Sequence, residues 1–150
     1  MKLAEALILR ADLQKRIGQL RERLKDSARV QEGDEPAEDV KELGKELEAV
    51  LSQLEDLIYR INVTNMNTVS EGESLTRLMA KKDVLTMRLS VLRDLGSHVM
   101  SNDRYGRNEI KYVRTVDVAA LRRDIDGYSK ELRELDTRIQ GLNWTVDLAE

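Results

Sequence analysis

Apolar residues recur along the chain at alternating spacings of three and four, which places them on one face of a helix. One series runs Val40, Leu43, Leu47, Val50, Leu54, Leu57 and Ile61. A second runs Val118, Leu121, Ile125, Tyr128, Leu132, Leu135, Ile139 and Leu142, again without a break. Two more carry a cation or a glycine in the stripe: Leu3, Ala6, Arg10, Leu13, Ile17, Leu20 and Leu24, then Leu75, Leu78, Lys82, Leu85, Leu89, Leu92, Gly96 and Val99. The pattern predicts helices over about residues 2–25, 38–61, 73–100 and 117–142. Leu7, Leu51, Ile58, Met79 and Leu95 flank these seams, and a stripe so widened suits more than one helical neighbour. The expected fold is therefore all-α in the main, a single domain over residues 1–150, built as an antiparallel four-helix bundle or as paired long helical hairpins. The same seams are compatible with helices that associate between chains.

Arg10 and Lys82 stand at seam positions, where a charge is costly unless it is paired or reaches the rim. Each is expected to meet an acid or the edge, and to fix register and partner choice as polar seam residues do in coiled coils. Between the first two helices, residues 26–37 form an acidic loop punctuated by Gly33 and Pro36. Its acids lack the ligand periodicity of a calcium loop, so it reads as a solvated connection that also serves the start of the next helix. Residues 101–116 form a second long connection, in which EIKYVRTV is rich in β-branched and aromatic residues and reads as a strand or hairpin arm. Asp117 or Thr115 would cap the last helix.

The stretch RINVTNMNT, beginning at Arg60, is rich in uncharged polar residues, and its core recurs. Asn62 and Thr64 close the second seam in the same phase as Asn143 and Thr145 close the fourth. Asn and Thr can satisfy the free backbone groups of a helix end, so paired terminators are one reading. A shared binding surface with Trp144 as its aromatic anchor is another. The residues after Asn62 also suit an extended segment, and the expectation is a small β hairpin or ladder element near 62–70 and 109–116.

Composition narrows the chemistry. The chain has 150 residues, no cysteine and no phenylalanine, and a formal charge of −3, which argues against a general electrostatic grip on nucleic acid. Without cysteine there is no thiolate nucleophile and no Cys-based zinc site. His98, the sole histidine, has no nucleophile and carboxylate at triad spacing, and neither a phosphate loop nor a paired metal-ligand motif occurs. No catalytic, cofactor-binding or metal-binding residue is assigned, and the protein is read as no enzyme. Arg104, Tyr105, Arg107, Lys111, Tyr112 and Arg114 form a basic stretch with interleaved aromatics that could meet RNA or an acidic protein. The start, MKLAEALILRADLQ, reads as an amphipathic helix rather than a signal peptide, and no run is long and apolar enough to span a membrane, so a cytoplasmic location is expected.

Through MKLAEALILRADLQKRI, VQEGDEPAED, RINVTN, EIKYVRTVDVAAL and ELRELDTRIQGLNWT, the chain resembles over nearly its whole length a family of uncharacterised bacterial proteins, some of which are called septicolysin-like. That name implies a membrane-active, pore-forming toxin. The reading that the residues themselves favour is a self-assembling helical module whose partner is another copy of itself, or else another protein. The toxin, and an RNA-binding or regulatory protein, stand as alternatives.

Overall fold

The structure, a computed structural model, describes residues 1–101 and 105–150. Four helices carry it: α1 (Leu3–Ala28), α2 (Val40–Asn67), α3 (Leu75–Met100) and α4 (Val118–Thr145), with two short strands, β1 (Val69–Ser70) and β2 (Glu73–Ser74), between α2 and α3. The chain divides into two compact units, the first comprising Met1–Ser74 with Gly141–Glu150 and the second Leu75–Gln140.

In the first unit, α1 and α2 pack as an antiparallel hairpin. The seam residues Leu3, Ala6, Leu13 and Leu20 of α1 and Leu43, Val50, Leu57 and Ile61 of α2 are all buried. Arg16 of α1 pairs with Glu46 of α2 at 2.6 Å, as an antiparallel pairing requires, and Arg23 meets both oxygens of Glu38 in the connection. Glu38 belongs to the acidic run after α1, so that run supplies a partner for α1. Its neighbour Asp39 supplies the cap of α2, accepting the Lys41 backbone N–H at 2.9 Å.

Helix α2 continues through Asn67 instead of giving way to a strand at residue 62. Ile61, Thr64 and Asn65 are buried along one side of it, so tertiary packing overrides the weak helix propensity of Asn and Thr. The expected ladder between residues 62–70 and 109–116 is therefore corrected. A small hairpin is present, but β1 pairs with β2, Val69 opposite Ser74 and Ser70 opposite Glu73. Its two-residue turn has positive φ at both Glu71 (50°) and Gly72 (82°), the sign pattern of a type I′ hairpin turn. The Glu-Gly turn set between Val69-Ser70 and Glu73-Ser74 was the local signal for it.

In the second unit, α3 and α4 run antiparallel. Lys82 of α3 pairs with Asp136 of α4, and Arg93 donates to the Ser129 hydroxyl at 3.2 Å. The Arg88 guanidinium lies 5.0 Å from the centre of the Tyr128 ring. Leu78, Leu85 and Leu89 of α3 and Leu121 and Ile139 of α4 are buried. Asp117 caps α4, accepting the Ala120 N–H at 3.1 Å. Gly96 faces α4 with room to spare, since a Cβ there would sit 3.8 Å from the side chains of both Leu121 and Ile125. Gly96→Ala is therefore expected to stabilise the protein by about 0.5–1 kcal/mol through helix propensity, measured as a rise in the denaturant midpoint at unchanged slope.

Candidate functional site

The polar end of α2 holds the chain's tail. Thr64, which is buried, donates its hydroxyl to the Arg60 carbonyl at 2.7 Å and accepts the Ala149 backbone N–H at 2.9 Å. Arg60 completes the grip by donating Nε to the Ala149 carbonyl at 2.7 Å. On its other side the tail meets the start of the chain: the Leu3 N–H donates to the Val146 carbonyl and the Leu148 N–H to the Met1 carbonyl, both at 2.9 Å. Lys2 closes this clasp, its ammonium donating to the Thr145 carbonyl at 3.0 Å and pairing with Asp147 at 2.8 Å. Leu148 is buried beneath these bonds.

The two Asn-x-Thr tips thus come together in the first unit, with different tasks. Thr64 anchors the tail, whereas the exposed Thr145 hydroxyl donates back to the Gly141 carbonyl at 2.9 Å and finishes α4. Asn143 is buried while its counterpart Asn62 is exposed, and the buried asparagine of α2 is Asn65. Trp144 is 56% exposed. Sequence reasoning missed Arg60, Asn65, Lys2 and Asp147. Arg60 opens the quoted stretch, but nothing local shows that its partner is a backbone carbonyl so far along the chain.

Of the two seam cations, Lys82 finds its acid in Asp136, while Arg10 is half-buried and enters no ion pair among the described residues. The basic stretch divides: Arg104 lies outside the described residues, while Arg107 and Arg114 are exposed. Tyr105 turns its hydroxyl to the following strand-like residues and accepts the Tyr112 N–H at 2.9 Å. Residues 109–116 form no strand here, and Ile110, Tyr112 and Val113 are 94%, 82% and 82% exposed. A cleft of about 840 Å³ runs beside them, lined among others by Leu95, His98, Val99, Tyr105 and Arg114.

The ion pairs set the local electrostatics. The Lys82 ammonium holds the Asp136 carboxyl below its usual range, Lys2 does the same for Asp147, and Arg23 for Glu38. Arg23 is itself raised by its bond to Glu38.

These elements define a mainly helical protein built of two antiparallel hairpins, with a terminal clasp on one and an open connection without strands among its described residues in the other. Residues 10–148 match a family of unknown function, DUF6847, and the chain belongs to that family. The resemblance to a family without an assigned activity is thereby borne out. A crystal structure of a functionally unknown conserved protein from Corynebacterium diphtheriae is similar to the whole chain, with 44% sequence identity, 99% of each chain covered and a TM-score of 0.90. No curated protein matches the chain.

Thr64→Val removes both hydroxyl bonds and leaves the Ala149 N–H without its acceptor, so it is expected to cost about 1–3 kcal/mol in denaturant melts. Thr145→Val, at an exposed helix end, should shift the same midpoint far less. The three carboxylates release their protons more readily in the folded state than in the unfolded one. Their stabilisation is therefore complete above the ordinary carboxylate range of about 4 and is lost as pH falls through the depressed folded values. Melting temperatures should stay level from pH 7 to about 5 and decline below, and the decline should be shallower in the Asp136→Asn, Asp147→Asn double variant.

Proposed function

We propose that the protein is a non-enzymatic self-association module whose principal partner is a second copy of the chain. The observation that supports this reading is the outer face of α3. Its inner face carries the buried Leu78, Leu85 and Leu89, yet Val84, Met87 and Val91 are 56%, 65% and 66% exposed on the opposite side. Together with Ala80 they follow spacings of four, three and four residues, which makes a second apolar stripe. A helix apolar on two opposite faces is built for two layers of neighbours, and a contiguous exposed stripe of this kind marks an interaction surface.

Among the described residues no helix is long and apolar enough to cross a membrane. A second copy presents the same seam and covers the stripe without any rearrangement.

Light scattering on nuclease-treated protein is expected to give a defined mass at a multiple of the 17.2 kDa protomer. The triple variant Val84→Glu, Met87→Glu, Val91→Glu should lower that mass while far-ultraviolet circular dichroism keeps its helical signal. A wild-type protomer mass at every concentration, or unchanged mass in the triple variant, would overturn the reading.

A further inference from the structure

The segment Ile110–Val116 has the composition of a strand but no strand partner. Among the described residues no backbone-to-backbone hydrogen bond involves residues 110 to 116, and the one bond given to their backbone is Tyr112 N–H to the Tyr105 hydroxyl. Ile110, Tyr112 and Val113 face solvent although β-branched and aromatic residues are the ones a sheet stabilises most. A strand left open in this way is a template for pairing with another chain.

Alternation decides which edge is open. In a strand, neighbouring residues direct their N–H and C=O groups to opposite edges. With the segment extended as a strand, the edge of Tyr112 is the one that Tyr105 meets, which leaves the edge of Lys111, Val113 and Thr115 for a partner. Two copies related by a two-fold axis pair antiparallel with one residue opposite itself. With Val113 in that place, Ile110 lies opposite Val116, Lys111 opposite Thr115 and Tyr112 opposite Arg114. That ladder uses the whole segment, places no like charges together and sets an arginine beside each tyrosine ring. Centring on Lys111 instead would oppose the two lysines, and centring on Tyr112 would set Ile110 against Arg114. The ladder ends where Asp117 turns away to cap α4.

We propose that residues 110–116 form an antiparallel ladder with the same residues of a second copy of the chain, centred on Val113 and hydrogen-bonded through the edge opposite Tyr105. This deepens the self-association reading and rests on it, adding a contact separate from the outer face of α3. It also accounts for a segment that reads as a strand in sequence yet has no strand partner among the described residues.

The chain has no cysteine, so single thiols report the register without background. Directly opposed residues lie within disulfide reach, and residues displaced by two positions do not. Under mild oxidation Val113→Cys is expected to give a disulfide-linked dimer. Tyr112→Cys and Arg114→Cys should each remain uncrosslinked alone but join when mixed. Val113→Pro, which removes the central N–H, should weaken association with helicity unchanged.

If the wild type is a protomer in light scattering, the self-association reading and this ladder both fail. If it is an oligomer but Val113→Cys does not crosslink and Val113→Pro keeps the full mass, the ladder alone fails. A mass that falls to the protomer on nuclease treatment would mean that RNA rather than a second copy holds the assembly together, and would likewise overturn the ladder.

Discussion

A helix in a two-helix hairpin can bury only one stripe of its surface, and this constraint organises the molecule. In α1 and α2 it is met directly: the seam leucines, valine and isoleucine go inside, each contributing about 1.5–3 kcal/mol when fully buried. The charged residues outside form ion pairs such as Arg16 with Glu46 that set direction more than stability, since exposed pairs are individually weak. In α3 the same constraint leaves a remainder. Its inner leucines satisfy one stripe, and Val84, Met87 and Val91 form another that the hairpin does not cover. That uncovered stripe is the surface on which the proposed association rests.

The clasp answers a different need. A short tail after α4 has too little apolar surface to hold itself down, and Leu148 is its one buried anchor. Backbone bonds to Met1 and Leu3, and the hydroxyl of Thr64, supply the rest. Thr64 can do this because it acts as donor and acceptor at once, giving its proton to Arg60 and receiving the Ala149 N–H. An apolar residue of the same shape could fill the space but not hold the tail. Uncharged polarity at the end of α2 is thus explained by a buried bond, for which a charge would have been costly.

In the connection after α3, local preference and the fold of a single chain disagree. EIKYVRTV favours a sheet, yet β1 and β2 already pair with one another through their tight turn. Natural sequences tend to agree across levels, and this disagreement is what the proposed ladder would resolve. The clash is informative because the segment is apolar as well as open: Ile110 and Val113 gain nothing from standing in water.

The helices, their antiparallel pairing and the pairing need of Lys82 were legible because amphipathic periodicity is a local property, repeated often enough to survive single exceptions. The Asn-x-Thr echo was legible as a pattern, and Asp117 as a cap, since both are defined within a few residues. Tertiary structure alone decided that α2 runs on to Asn67, because the burial that overrides Asn and Thr propensity comes from residues distant in sequence. It alone decided that Thr64 meets Ala149 and Lys2 meets Asp147, and that Trp144 stays largely exposed. Sequence determined which faces must be buried and which groups need partners. Which partner each group finds is a matter of long-range geometry, and no local spacing encodes it.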